Sequence, residues 1–153
     1  MNQTTRPDFD VAVVGGSCAG LFAAEHLARQ GMSVCLLERK SAIGSPVRTW
    51  IVTDRLREFL GELPSDAVVH KTGVIKMLAG DAVASVPLTP PDLIVDRTEL
   101  LAYLQRRADA AGVQIRLGSD LRDVRSDAGG FRLEIAERAE GTRHITARHL
   151  VGA

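Results

Sequence analysis

The sequence predicts an α/β fold built on a parallel β-sheet. Residues 9–14 form an apolar run that stops at a glycine-rich turn, which is typical of a strand buried on both faces. Residues 19–30 then carry apolar side chains at helical spacing, and Gly31 provides a C-terminal stop. A second apolar run, residues 33–38, completes a strand–helix–strand unit, for which a right-handed crossover is the rule.

The middle of the chain departs from this pattern. Residues 41–52 contain Gly44 and Pro46 and predict an ordered loop, and residues 54–60 predict a short helix. Residues 66–95 hold several β-like runs separated by glycines and a proline pair. We therefore expect a small antiparallel β layer inserted outside the main sheet.

The C-terminal third predicts a helix followed by strands. Asp96 and Glu99 resemble a capping box at the start of the helix, and Gly112 ends it. Residues 113–118 predict a third buried strand, and residues 119–147 predict a β-meander. The final stretch, "HLVGA", predicts the start of another core strand. Because parallel strands normally run on into a ligand-binding loop, we expect the chain to be the first part of a larger protein.

Composition excludes several functional classes. The 153 residues include 19 basic and 19 acidic side chains, a balance that argues against a nucleic-acid-binding surface. No apolar run approaches the roughly 20 residues of a membrane span, and the polar N-terminus "MNQTTRPDFD" predicts a cytoplasmic protein. The two cysteines, Cys18 and Cys35, have no metal-ligand spacing, so we expect no metal site. Cys35 is predicted to be a small buried apolar residue.

The turn after the first strand indicates a phosphate-binding function. Residues 15–20, Gly-Gly-Ser-Cys-Ala-Gly, approximate the G-x-G-x-x-G fingerprint, with Ser17 at the second glycine position. Such a turn presents backbone N–H groups at the positive end of a helix dipole, where a diphosphate binds. Gly15 permits the tight turn, Gly20 permits close helix–strand packing, and the Ser17 hydroxyl can hydrogen-bond a phosphate oxygen. The alternative is a tight strand-to-helix turn without a ligand.

An acidic residue ends the second strand. Glu38 lies 23 positions after Gly15, where a carboxylate accepts hydrogen bonds from the ribose hydroxyls of an adenosine. Glu38 would repel a 2′-phosphate, although Arg39 and Lys40 follow directly. These residues alone do not distinguish NAD from FAD, since both carry an ADP half.

Four stretches resemble the N-terminal part of FAD-dependent oxidoreductases related to geranylgeranyl reductase and p-hydroxybenzoate hydroxylase. They are "DVAVVGGSCAGLFAAEHLARQGMSVCLLERK", "IGSPVRT", "LIVDRTELLAYLQRRADAAGVQIRLGSDL" and "ARHLVGA". The resemblance implies a Rossmann-like FAD/NAD(P)-binding fold, with residues 1–153 as the N-terminal portion of the FAD-binding domain. A β-rich segment is inserted at about residues 62–95, and the rest of the flavin domain and the substrate domain are absent.

The resemblance also implies a set of cofactor-binding residues. Arg48 and Thr49 would flank the ribityl and phosphate region of the flavin, and Leu121 would offer backbone contacts to adenine. Arg97 would reach the cofactor from the start of a helix, where a cation needs an anion nearby; the alternative is a local pair with Asp96 or Glu99. Arg48 has the alternative of a solvated loop residue. The full set is Gly15, Gly16, Ser17, Cys18, Ala19, Gly20, Glu38, Arg39, Arg48, Thr49, Arg97 and Leu121.

The resemblance implies an FAD-dependent oxidoreductase, which could be a reductase or a hydroxylase. A reductase would pass hydride from reduced FAD to a carbon–carbon double bond, with NAD(P)H as candidate reductant; a hydroxylase would activate oxygen. The implied substrate is a small isoprenoid or aromatic molecule, and no catalytic residue is identified. Two positions depart from the family pattern. Ser17 and Cys18 replace the usual Gly-Pro of the turn, and Thr49 stands where some reductases have a cysteine. The alternatives are a non-catalytic nucleotide-binding module that docks on a partner chain and, less compatible with the β-rich middle, an NAD-linked dehydrogenase.

Overall fold

The computed structural model describes residues 6–44, 48–127, 129–137 and 141–153, with the side chain of residue 127 left aside. The chain divides into two compact units, one comprising Met1–Ile43 and Leu101–Ala153 and the other comprising Gly44–Leu100. The elements in chain order are β1 (Phe9–Val14), α1 (Cys18–Arg29), β2 (Val34–Glu38), β3 (Thr49–Val52), α2 (Leu56–Leu60), a 3-10 turn (Ser65–Ala67), β4 (Val68–Ala79), β5 (Ala82–Asp96), α3 (Arg97–Ala110), β6 (Gln114–Leu117), β7 (Ser119–Asp127), β8 (Gly130–Glu137) and β9 (Gly141–Gly152).

The first unit contains a six-stranded sheet in the order β6-β2-β1-β9-β8-β7. Strands β6, β2, β1 and β9 are parallel neighbours, and β9, β8 and β7 form the antiparallel meander. The predicted first strand has the observed bounds, and α1 ends at Arg29 before Gly31, whose φ is 86°. The predicted mixed α/β fold with a parallel sheet and a meander is therefore confirmed.

One long strand joins the two halves of this sheet. The sequence predicts a meander strand ending at residue 147 and a separate core strand from 149, whereas β9 runs unbroken through both. Ala147 is the junction, because it pairs with Phe131 on the meander side and with Phe9 on the parallel side. A Cβ on Gly130 would collide with the carbonyl oxygen of Ala147, so glycine permits the close approach there.

The last parallel strand also differs from its prediction. Residues 113–118 are predicted as a buried strand, but β6 is shorter and pairs only with β2 at the edge of the sheet. Gln114 and Leu117 are exposed and the two residues between them are half-buried. An edge strand keeps one side open, which explains its partial burial.

Helix packing follows the predicted apolar positions. Leu100, Leu101, Leu104 and Ala108 of α3 are fully buried, as expected from their spacing. The Asp96 carboxylate caps this helix by accepting the backbone N–H groups of Thr98 and Glu99 at 2.7 and 3.2 Å.

The second unit contains a three-stranded antiparallel sheet in the order β3-β5-β4. The predicted loop of residues 41–52 is wrong for Thr49–Val52, which pair with the end of β5; residues 45–47 lie outside the described residues. The predicted short β runs are two long strands joined by a tight turn at Gly80 and Asp81. The inserted antiparallel layer is thus present, and its strand pairing continues past the glycine and proline residues that were predicted to interrupt it.

Candidate functional site

The glycine-rich turn connects β1 directly to α1. Gly15 has φ of 114°, a left-handed conformation that glycine adopts without strain. Gly15 donates its N–H to the carbonyl of Leu37 at 2.8 Å, and a Cβ there would collide with the carbonyl oxygen of Ala153. Both the conformation and the space at this position therefore require glycine.

Gly16 and Gly20 are also positions where a side chain would meet other atoms. A Cβ on Gly20 would collide with the carbonyl oxygen of Gly15, so the first turn of α1 packs directly on the end of β1. A Cβ on Gly16 would lie 3.0 Å from Oε2 of Glu38. The three glycines thus leave a surface of bare backbone at the start of the helix, as a diphosphate site needs.

Ser17 is the N-cap of α1. Its backbone is extended (φ −75°, ψ 173°), and its Oγ accepts the N–H of Gly20 at 3.1 Å. The hydroxyl predicted to meet a phosphate therefore caps the helix first, while its own O–H remains a donor. A serine directly before a helical pattern is the sequence signal for this role, and considering Ser17 only as a replaced glycine missed it.

Backbone donors remain at the helix start. The N–H groups of Ser17, Cys18 and Ala19 have no acceptor in the part of the chain that the structure describes. The first turn of α1 contains no acidic side chain, so no carboxylate competes for these donors. Free N–H groups at the positive end of a twelve-residue helix are the chemistry that binds a phosphate group.

Glu38 is fixed beside the turn by two backbone hydrogen bonds. Its Oε2 accepts the N–H of Gly16 at 2.7 Å, and its Oε1 accepts the N–H of Lys40 at 2.9 Å. A carboxylate offers about four lone-pair sites, so two remain for the hydroxyls of a ribose. The carboxylate is thereby oriented before any ligand arrives.

The two cysteines are protonated structural residues at neutral pH. Burial raises the pKa of the Cys18 thiol, although the residue begins a helix, where the dipole favours a thiolate. Burial also raises the pKa of Cys35 to about 11, and Cys35 is fully buried in the sheet, as predicted. A neutral thiol at Cys18 adds no negative charge beside the candidate phosphate site.

Arg39 and Leu121 lie on the first unit, beyond Glu38. Arg39 lines an open cavity of about 590 Å³ whose other lining residues include Lys40, Asp120 and Arg122. Leu121 is half-buried against the apolar cluster between the parallel strands and the meander.

Arg48, Thr49 and Arg97 belong to the second unit. The Arg48 carbonyl accepts the N–H of Arg97 at 2.8 Å, and Thr49 pairs with Asp96 across the sheet. The Arg97 guanidinium lies 5.1 Å from the ring centroid of Trp50 and donates to the carbonyl of Gly44 at 3.4 Å. An aromatic ring and a carbonyl are thus two of the contacts of the Arg97 guanidinium, while the Asp96 carboxylate caps α3.

Residues 8–153 match the family model described as "FAD binding domain". The chain belongs to this family. The match confirms the prediction of FAD as the cofactor, and the glycine surface with its free N–H donors fits the diphosphate of that group.

The relatives include geranylgeranyl-type reductases and flavin-containing monooxygenases by name. The chain is 40% identical over 117 residues to the chloroplastic geranylgeranyl diphosphate reductase of Oryza sativa subsp. japonica, covering 73% of this chain and 25% of the relative. It is 30% identical over 150 residues to digeranylgeranylglycerophospholipid reductase 2 of Methanothermobacter thermautotrophicus, covering 95% and 39%. The chain thus spans about a quarter to two fifths of the length of these relatives.

Solved structures share the fold. A geranylgeranyl bacteriochlorophyll reductase-like protein from Thermoplasma acidophilum superposes with a TM-score of 0.85 at 21% identity, over 95% of this chain and 38% of that one. Aklavinone-11 hydroxylase in complex with FAD and aklavinone superposes with a TM-score of 0.82 at 23% identity, over 100% of this chain and 33% of that one. The Rossmann-like FAD-binding fold is therefore confirmed.

Among residues 6–44, 48–127, 129–137 and 141–153, no three His, Cys, Asp or Glu side chains lie together as metal ligands would. Over the same residues, no helix has the length and apolar character needed to span a bilayer.

Proposed function

We propose that the chain binds the adenosine diphosphate half of FAD at the turn of residues 15–20, with Glu38 holding the ribose. The observation that carries this proposal is the set of three backbone N–H groups that find no acceptor among the described residues and lie beside a pre-oriented carboxylate. The N–H groups would bind the diphosphate, and the free lone pairs of Glu38 would accept the ribose hydroxyls.

In the same proposal, the complete protein is an FAD-dependent oxidoreductase of the geranylgeranyl reductase type. When bound, FAD supplies the hydride-transfer chemistry, while this chain binds and orients it. The names of the rice and archaeal relatives support an isoprenoid substrate with a carbon–carbon double bond, and NAD(P)H is the proposed reductant. The hydroxylase neighbour supports an aromatic substrate as the alternative. The cytoplasmic location stays a prediction.

The remaining cofactor contacts stay predictions from the resemblance. They assign Arg48 and Thr49 to the ribityl and phosphate region, Arg97 to a cofactor anion, and Arg39 and Leu121 to the adenosine end. The Trp50 ring and the Gly44 carbonyl hold the Arg97 guanidinium in place, and a positioned guanidinium can bind an anion bidentately, which supports an anion-binding role.

Titration of the purified chain with FAD, ADP and FMN tests the proposed contacts. FAD and ADP should bind with affinities within about tenfold of each other, and FMN should bind at least 100-fold more weakly because it lacks the adenosine half. Glu38→Gln keeps an acceptor for the Gly16 N–H but loses the charge, so FAD binding should weaken by about 10- to 100-fold. Calorimetry or flavin fluorescence measures each affinity.

The control is Glu99→Gln, which removes the same charge from an exposed side chain in the first turn of α3. This variant should bind FAD as the unaltered chain does. FMN binding equal to that of FAD, or unchanged affinity in Glu38→Gln, contradicts the proposed adenosine site.

A second candidate is a non-catalytic module that holds the nucleotide and docks on a partner chain. Incubating the FAD-loaded chain with NADPH and geranylgeranyl diphosphate separates the two: flavin oxidation coupled to substrate reduction supports the enzyme, and bound FAD without turnover supports the module.

A further inference from the structure

The outer face of the meander carries its charges in two rows. Asp123 of β7, Glu134 of β8 and His144 of β9 are direct cross-strand partners and form the first row. Arg125 and Arg132 are direct partners two positions away on β7 and β8, and they form the second row. Residues two apart in a strand project to the same face, so the two rows lie side by side, roughly 7 Å apart. We call these five residues the charged meander face.

This face points away from the apolar core. Leu133, which lies between Arg132 and Glu134 in β8, is fully buried on the other side of the strand. Four of the five charged residues are exposed, Glu134 is half-buried, and together they line an open cavity of about 220 Å³. None of the five is among the residues assigned to the cofactor. The charged meander face is therefore a second surface, distinct from the proposed nucleotide site.

Each row sets like charges directly opposite each other. Asp123 faces Glu134 and Arg125 faces Arg132, an arrangement that destabilises a sheet. Compensation within the chain is partial. The Arg125 Nε lies 3.0 Å from Oδ2 of Asp123, whereas Arg132 has neither a hydrogen bond nor an ion pair among the residues that the structure describes. Glu134 contacts the His144 imidazole at 3.5 Å, which is an ion pair only when the imidazole is protonated.

We propose that the charged meander face binds the same face of a second copy of this chain. The pattern is self-complementary, as a two-fold interface requires. A two-fold axis parallel to the rows and midway between them places the acidic row of one copy on the basic row of the other. Each Glu134 then meets Arg132 of the second copy, and each Asp123 meets Arg125 of the second copy. An unrelated partner would have to match both rows, whereas a second copy supplies both by symmetry.

Such a dimer is weak and sensitive to salt. Exposed ion pairs are screened by salt, and a small interface without an apolar centre belongs to the transient class. Raising NaCl from about 20 mM to about 500 mM shortens the Debye length from roughly 20 Å to roughly 4 Å and should weaken the dimer by about tenfold or more. Sedimentation equilibrium of the unaltered chain, at up to about 0.5 mM protein, measures this dependence.

A charge swap within one chain tests the pairing itself. Arg132→Glu places a carboxylate against Glu134 of the second copy and should weaken the dimer by about tenfold or more. Adding Glu134→Arg to that variant restores self-complementarity at unchanged net charge, so its homodimer should recover to within about threefold of the original. The swapped variant should not pair with the unaltered chain, because like charges then meet. Arg106→Glu, the same charge change at an exposed residue of α3, is the matched control and should leave the dimer unchanged.

The remaining outcomes overturn the proposal. A chain that stays monomeric at low salt has no such interface, and association that Arg132→Glu leaves intact uses another surface. Equal weakening by Arg106→Glu would mean that net charge alone controls association, and a folded swapped variant that does not recover would contradict the two-fold pairing. Circular dichroism verifies that each variant folds. Should the swapped variant unfold, Arg132→Gln decides instead, because loss of the charge without repulsion should weaken the dimer less than Arg132→Glu does, and equal effects would exclude a carboxylate opposite Arg132.

Discussion

The two units bury their apolar side chains to very different extents. In the first, strands β1 and β2 supply fully buried residues such as Val13 and Leu36 to a continuous core. Twelve large apolar side chains are exposed among the described residues, and nine of them, from Ile51 to Val86, belong to the second unit. The first unit therefore buries most of the apolar side chains that form the core. In the second unit, burial is concentrated around Leu93 and Val95, near the end of β5.

The two units also differ in how they treat charge. The first unit buries Glu25 of α1 at 2% exposure, and its Oε1 lies 2.9 Å from Nε of both Arg29 and Arg107. In the second unit, Arg57 and Asp54 form an ion pair at the surface. Loss of one partner lowers the free energy of unfolding far more for a buried ion pair than for a surface pair. The largest effect is therefore expected at Glu25.

Glu25→Ala should destabilise the chain by about 3–5 kcal/mol, because it leaves the partly buried Arg107 guanidinium without its carboxylate. Urea denaturation followed by circular dichroism measures the loss. The control is Glu134→Ala, whose carboxylate meets His144 at 3.5 Å on an exposed surface and should contribute about 0–1 kcal/mol. Equal losses in the two variants would mean that the buried cluster is not a stabilising feature.

The thiol of Cys35 tests the first unit's core by pH. Burial raises its pKa to about 11 from 9.0, so between pH 9 and 11 the unfolded chain loses this proton while the folded chain keeps it. Stability should therefore fall as pH rises through this window, by about 2–3 kcal/mol in total. Below pH 9 both states are protonated and the contribution vanishes.

Comparing Cys35→Ala with the unaltered chain at pH 8 and pH 11 isolates this effect. The free energy of unfolding of the unaltered chain should drop by about 2 kcal/mol more than that of the variant. Parallel pH profiles would mean that solvent reaches the thiol in the folded state.

Gly20→Ala probes the contact between α1 and β1. Glycine to alanine in a helix normally stabilises by roughly 1 kcal/mol, but the new Cβ would meet the Gly15 carbonyl oxygen, so we expect a net loss of about 1–3 kcal/mol. FAD affinity should fall as well, since the turn must shift. Gly73→Ala is the control, because a Cβ there meets nothing within 4 Å and stability should change by under about 0.5 kcal/mol. A stabilised Gly20→Ala would contradict the close packing.

The sequence predicted the first unit more completely than the second, for a physical reason. The residues of β1 and the apolar face of α3 follow local periodicities that burial enforces, and the glycine turn has a fingerprint. What local patterns could not give was pairing at a distance. The continuity of β9 depends on Ala147 having two partners, and the hydrogen bond of Glu38 to Gly16 joins residues 22 positions apart.

The lengths of the strands in the second unit were not predicted because their sequence pattern has no polar face. An alternating strand has one apolar and one polar face, but the paired residues 74–79 and 82–87 have apolar side chains on both faces. Ile75 and Met77 therefore predicted neither which face is buried nor how long the strand is. Gly73 and the Pro90–Pro91 pair, which normally interrupt strands, lie inside β4 and β5.

The smallest expected effect is that of Val86→Ala, which can be compared with Val95→Ala at the other end of β5. Val95 is fully buried near the start of α3, and Val86, which pairs with Ile75 toward the other end of the strand, is 41% exposed. Val95→Ala should cost about 2–3 kcal/mol, from two lost methyl groups and the cavity they leave, while Val86→Ala should change the stability of the isolated chain by under about 0.5 kcal/mol. Thermal and urea unfolding measure both. Equal losses in the two variants would mean that Val86 is packed as closely as Val95, against its observed exposure.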